Sequence, residues 1–279
     1  MPQNEKFPRS NELPSQSPLF WVAQKDRYLR QLLVRDIEAL TGRRLVVYYA
    51  NRAANAQIDT RDCSFILELF GDVGAEPVDL MLETSGGMTD ATEALVSTLQ
   101  NLTTDFRVIV PNAAKSNGTL LGLASKSIVM GAVSELGPIE PSVNQIPASI
   151  LIQQQIAQQN FVLHMAGTYG LQQTRALAKR LLTAGMMNGK TPAEIDDVVH
   201  KLSTRDVYFS HGSVIDHREA AALGLNITYL PLEDATWQRL WLLSCMYDHD
   251  CRQGNYLKIF EGRARSTAVA APATSVPKP

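Results

Sequence analysis

Charge is scarce in this chain and evenly split. Charged residues make up 19% of 279 positions, and 26 Lys and Arg stand against 28 Asp and Glu, for a net charge of −2. That balance argues against a bulk basic surface for nucleic acid, leaving at most a local patch. Cysteine is scarcer: Cys63, Cys245 and Cys251 are too few and too scattered for a disulfide framework or a zinc site, so free thiols are expected. No uninterrupted run of 18 apolar residues occurs, so no membrane span is expected. The opening MPQNEKFPRSNELPSQSPLF lacks the apolar stretch of a secretory signal. A Gly-rich Lys-Ser/Thr phosphate loop and a dinucleotide fingerprint are also lacking, so neither a nucleotide nor a metal cofactor is implied. These absences together lead us to expect a cytoplasmic protein.

What is present is a chain that is 45% hydrophobic, enough for a sizeable core. Residues 1–18 are polar and Pro-rich and read as a flexible arm; 265–279 are small, Pro-rich and aperiodic and read as a disordered tail. Between them we expect a main domain over 19–232 and a helical extension over 233–264. Helical periodicity predicts helices over 20–41, 60–69, 90–102, 116–125, 147–166, 172–187, 192–202, 216–223 and 234–262. Compact β-branched segments predict strands over 44–50, 78–83, 107–111, 127–130 and 226–229, with 131–141 as a loop. Alternating strands and helices with short connections indicate an α/β fold with parallel strands.

Two strand-to-helix junctions carry the chemistry. In LETSGGMTDA (82–91), Gly86 and Gly87 let the backbone turn sharply and present bare N–H groups at a helix start. In NAAKSNGTLLGLA (112–124), Ser116 stands where a strand has ended and a helix begins, and Gly118 allows close backbone passage. A serine there meets the positive end of the helix dipole, and neighbouring N–H groups can hold an oxyanion. Each half also has a plain reading: Gly-Gly as a turn, and Ser as an N-cap. Their recurrence about thirty residues apart, at the strand edge where open α/β sheets place ligands, favours a site.

At these residues the chain resembles serine dehydrogenase proteinase-type peptidases of the Clp-peptidase/crotonase superfamily, related to signal peptide peptidase A. The matching segments are VDLMLETSGG, VPNAAKSNGTLLGLASKSIVMGAVSELGPIEP and SHGSVIDHREAAALGL, within roughly 27–228. The resemblance implies a spiral of β-β-α units, here with an appended C-terminal helical region, and an oligomeric serine peptidase. It implies Ser116 as nucleophile, with Gly87 and Asn117 supplying oxyanion N–H groups. Relatives usually carry a small residue where this chain has Asn117, whose side chain is expected to crowd the pocket.

The proton acceptor is less plain. The Clp-type histidine belongs in the segment resembling SELGPIEP, and no histidine lies between Ser116 and Pro141. His211, Lys115, Lys179 and Lys190 are the alternatives, with His164, His200, His217 and Lys126 behind them. His211 is preferred because it lies in a matching segment and is followed by Gly212, although it can equally serve as a helix cap. Asp206 or Asp216 could orient its ring. His249, flanked by Asp248 and Asp250, lies beyond the resemblance, and adjacent residues do not readily converge on a metal.

The expected activity is therefore a serine endopeptidase acting on a protein or peptide. It is expected as a homo-oligomer, with any ATP dependence supplied by a regulatory or ATPase partner. Two rivals stand beside it. One is a crotonase-type acyl-CoA enzyme using Glu135 or Glu140; the other is an inactive scaffold that kept the fold. Trp237 and Trp241, four residues apart, mark a helix face for the core or for a neighbouring subunit.

Overall fold

A computed structural model describes residues 17–272. Most of the expected arm and the last part of the expected tail lie outside the described residues, as does the Trp21 side chain. The chain enters through α1 (Pro18–Ala23) and α2 (Lys25–Thr41), which Gly42 ends as a left-handed C-cap at φ 65°. Next come β1 (Arg44–Ala50), α3 (Asp62–Phe70), β2 (Val78–Glu83), α4 (Thr89–Leu102), β3 (Phe106–Val110), the short β4 (Ala113–Ala114), α5 (Asn117–Leu123), β5 (Ile128–Met130) and β6 (Glu135–Leu136). The hairpin of β7 (Ser142–Val143) and β8 (Ile146–Pro147) leads into α6 (Ala148–Leu151), α7 (Gln154–Gln159) and the long α8 (Phe161–Ala184). Then follow α9 (Pro192–Ser203), α10 (His217–Ala222), β9 (Ile227–Tyr229), α11 (Ala235–Gly254), β10 (Tyr256–Glu261) and β11 (Ser266–Ala270).

The central sheet runs β11-β10-β1-β2-β3-β5-β9, and its five strands from β1 to β9 are mutually parallel. Both faces are covered, which is why its strands carry buried apolar residues on either side rather than alternating with exposed polar ones. Val46 and Tyr48 of β1 face α3, α4, α5, α8 and α9; Val47 and Tyr49 face α2 and α11.

After each of β2, β3 and β5 the chain kinks into a second, smaller layer. The residue after β2 bridges to β4 through Thr84 and Ala114, β4 pairs with β6, and Leu136 bridges to Ile215. On the other side Gly87 bridges to Ile58. After β2 and β3 the small layer is followed directly by a helix, α4 and α5 respectively. This winding is the expected repetition of β-β-α units. Among the described residues no helix is long and apolar enough to cross a membrane.

The structure corrects the reading at three places. First, the helix expected over 234–262 stops at Gly254, where Asn255 takes φ 51°. YLKIFE then forms β10, antiparallel to β1, with Ile259 on one face of the sheet and Phe260 on the other, stacked against Tyr48 and Phe65 at 4.7 and 4.8 Å. Second, Ser266–Ala270, read as part of a disordered tail, is the edge strand β11 paired with β10. Its alternation is carried by residues too small to register as an apolar stripe.

Third, α8 is continuous where a break was expected between 166 and 172. The breaks fall instead near Gln153 and at Asn160, whose side chain accepts the Leu163 N–H at 3.0 Å. Gly167 serves close packing: a Cβ there would lie 2.5 Å from that of Leu151. Trp237 is a core residue, packed so closely that a Cβ on Gly131 would meet its ring at 2.1 Å, whereas Trp241 is exposed.

Candidate active site

The edge of the sheet brings two backbone segments together. β3 gives way to β4 and then to Ser116, which adopts φ 53° and ψ −117° before α5 begins. A non-glycine residue in that region is strained by about 1–3 kcal/mol, and such strain concentrates at functional positions. Ser116 holds the N-cap position, yet its hydroxyl caps nothing and has no hydrogen bond among the described residues. The ordinary role of a serine at a helix start therefore does not account for it.

Small residues make this turn possible. A Cβ on Gly118 would lie 2.5 Å from the Thr84 methyl, and the Gly118 N–H donates to the Lys115 carbonyl at 2.7 Å. The Thr119 hydroxyl lies 2.8 Å from the carbonyls of Ala114 and Gly137 and locks α5 onto the loop after β6.

The glycine segment lies alongside. Gly86 has φ 105°, and a Cβ on it would meet the Ser116 Cβ at 2.8 Å. Ile58 donates to the Gly86 carbonyl at 2.8 Å, and Met88 donates to the Ile58 carbonyl at 3.0 Å. Gly87, flanked by these two bonds in a parallel bridge, turns its own N–H and C=O to the opposite side. Its carbonyl accepts the Asn117 side-chain amide at 2.6 Å. The Asn117 side chain is buried and folded back onto the glycine segment and the Thr89 hydroxyl, 3.4 Å away. The backbone N–H groups of Gly87 and Asn117 donate to no acceptor among the described residues.

A charged network underlies both segments. Glu83, at the end of β2, accepts the Ala113 N–H at 3.0 Å and faces Asn112 and Arg52 at 3.2 and 3.3 Å. Burial pushes its pKa up to about 6. Lys115 is buried and gives its ammonium to Glu135 at 3.0 Å, the Ser213 carbonyl at 3.0 Å and the Leu136 carbonyl at 3.3 Å. Three acceptors engage the three N–H groups of the side chain, so it stands here as a donor held by fixed partners.

His211 sits in a turn closed by the Ser213 N–H on the Ser210 carbonyl at 3.0 Å. Its surface is exposed, yet the surrounding chain desolvates the ring enough to lower its pKa; Glu140 opposes the shift, and Arg205 and Lys115 add to it. The other candidates are placed elsewhere or occupied. His164 bonds the Leu151 carbonyl at 3.0 Å, His200 pairs with Asp206 at 3.3 Å, and His217 stacks on Tyr229. Lys179, Lys190 and Lys126 pair with Asp196, Glu194 and Asp105. Asp216 caps α10. Glu140 pairs with Arg205 at 2.8 Å and accepts the Ser149 N–H. The sequence reading missed Arg52 and Arg205, whose carboxylate partners lie 31 to 83 and 65 residues away, respectively, so no local spacing marks these ion pairs.

Residues 61–238 match the family described as ClpP-like SDH-type serine proteinase. The chain belongs to this family. The match runs from the start of α3 into α11, so β1, expected to fall within the resemblance, lies outside it together with the β10–β11 pair. Two uncharacterized proteins of Methanocaldococcus jannaschii are 38% and 34% identical to the chain over 77 residues, 28% of its length. The chain spans about a quarter of the length of these relatives, 27% and 26%.

Among solved structures, a mutant of ClpP1 from Listeria monocytogenes is similar at a TM-score of 0.46 and 14% identity, covering 71% of this chain and 98% of that one. A mutant of the 1510-N membrane-bound stomatin-specific protease gives 0.40 and 19%, covering 64% and 76%. The family is one of serine proteinases, and the α/β architecture with its mainly parallel sheet is consistent with it.

Proposed function

We propose that the chain is a serine endopeptidase acting through an acyl-enzyme on Ser116. The Ser116 Oγ attacks the carbonyl carbon of the scissile peptide, and the resulting oxyanion is held by the backbone N–H groups of Gly87 and Asn117. His211 takes the serine proton and returns it to the leaving amine; water then releases the acyl group by the same route. The Ser116 hydroxyl is unbonded in the free chain, and its contact with His211 forms when substrate binds.

The observation that carries this reading is the backbone of Ser116 at φ 53° and ψ −117°, strained at a helix start and unused as a cap. The same sharp, strained strand-to-helix turn carrying a serine defines a nucleophile elbow in other hydrolases. An acyl-CoA reaction would need a free carboxylate, whereas Glu135 and Glu140 are both held in ion pairs with Lys115 and Arg205. The reading includes a cytoplasmic homo-oligomer and a regulatory or ATPase partner. Exposed Phe161, Val162 and Tyr169, which recur at helical spacing along α8, support an assembly surface.

The test is hydrolysis of a fluorogenic peptide library by the purified chain and by Ser116→Ala and His211→Ala. Cleavage by the parent and loss of at least about a thousandfold in both variants is expected. Equal activity in parent and Ser116→Ala would overturn the assignment.

A further inference from the structure

The Lys115 ammonium touches three separate pieces of chain, and one of them carries His211. Lys115 immediately precedes Ser116, and its stem lies so close to Gly137 that a Cβ there would come within 2.7 Å. From this position the ammonium reaches the Ser213 carbonyl, two residues past His211, at 3.0 Å. It also bonds Leu136, which exchanges backbone hydrogen bonds with Ile215 at 2.9 and 3.1 Å.

The other side of the turn is held by Arg205, which bonds Glu140 at 2.8 Å and the Phe209 carbonyl at 3.2 Å. His211 is therefore suspended between two buried or half-buried cations, each with a carboxylate partner. Nothing else bonds the exposed tip of this turn to the sheet edge among the described residues. A lysine whose three N–H groups are all engaged serves to fix geometry, and one buried beside the proposed nucleophile fixes it across a sequence gap of about a hundred residues.

We propose that Lys115 is a positioning residue: it clamps the 210–213 turn to the Ser116 elbow and so sets where His211 stands relative to the hydroxyl. This rests on the peptidase reading given above. The ammonium has a second effect. The charged groups facing His211 are Glu140, Arg205 and Lys115; desolvation is the main cause favouring the neutral imidazole that can accept a proton, and the two cations add to it. Removing the Lys115 charge raises the imidazole pKa, so the pH at which reactivity is lost on acidification moves upward.

The experiment measures amide hydrogen exchange over 208–215 and the rate of fluorophosphonate labelling as a function of pH, in the full chain and in Lys115→Met, Lys115→Arg and Glu135→Gln. In Lys115→Met, exchange over 208–215 is expected to rise about tenfold. Its labelling should slow about tenfold or more, with the acid limb at higher pH. Lys115→Arg should restore the limb. Should Lys115→Met fail to fold, Glu135→Gln carries the test, with exchange in the same turn raised about threefold.

Unchanged exchange and an unchanged acid limb in the folded variants would overturn the clamp. A parent chain that never labels would overturn the peptidase reading instead, while the exchange data would still decide whether Lys115 holds the turn.

Discussion

The Asn117 side-chain amide donates to the Gly87 carbonyl at 2.6 Å, and this bond joins the two backbone segments of the site. It fixes the spacing between the N–H groups proposed to hold the oxyanion, and it consumes the Gly87 carbonyl that would otherwise repel one. Asn117→Ala keeps its own backbone N–H but releases Gly87. The expected result is a roughly tenfold fall in kcat with KM little changed, at a cost of ~1 kcal/mol in stability. Steady-state kinetics and thermal unfolding check both.

Gly86→Ala should act on the nucleophile directly. The new methyl would press on the Ser116 Cβ at 2.8 Å, at a backbone φ of 105° that favours glycine. Peptidase activity is expected to fall about a hundredfold while the far-ultraviolet circular dichroism is kept. Retention of full activity would show that the elbow does not need its present geometry.

Lys258 tests the strand that the sequence reading took for helix. Its buried ammonium binds Asp59 and Asp62, both at 2.7 Å, and Tyr48 donates to the same Asp62 at 2.5 Å. Lys258→Met strands the Asp62 carboxylate in the core, so a loss of about 3–5 kcal/mol is expected in urea unfolding. A change under ~1 kcal/mol would mean that β10 does not dock as described.

Stability should also carry the signature of Glu83. Its folded pKa of about 6 lies above the ordinary value of 4.5, because burial disfavours the carboxylate. Its contribution is therefore fully present below 4.5 and is lost as pH rises through about 6, by ~2 kcal/mol. Glu83→Gln should flatten the stability profile over that window, measured by denaturant titrations at several pH values.

The core strands and the site loops were legible because their signals are local. RLVVYYA and VDLMLE place apolar side chains on both faces, as a covered parallel sheet requires, and both form strands over the expected residues. Ser116, Gly86 and Gly87 stood out by backbone chemistry. What escaped was non-local. The clamp of Lys115 on Ser213 spans 98 residues, and the Lys258 network spans 196 to 199. β10 escaped because the helical stretch ends only where Asn255 turns left-handed, and its pairing partner β1 lies two hundred residues earlier. The anchoring of the Asn117 side chain escaped too, because its partner, the Gly87 carbonyl, comes alongside only once the two segments are side by side.

The central claim is that the Ser116 hydroxyl is an activated nucleophile. The most direct measurement is intact-mass and peptide-mass analysis after exposure of the full chain to a fluorophosphonate. The account predicts one adduct per chain, mapped to Ser116 and slowed by His211→Ala. Labelling that falls on another residue, or that persists at the parent rate in Ser116→Ala, would contradict it.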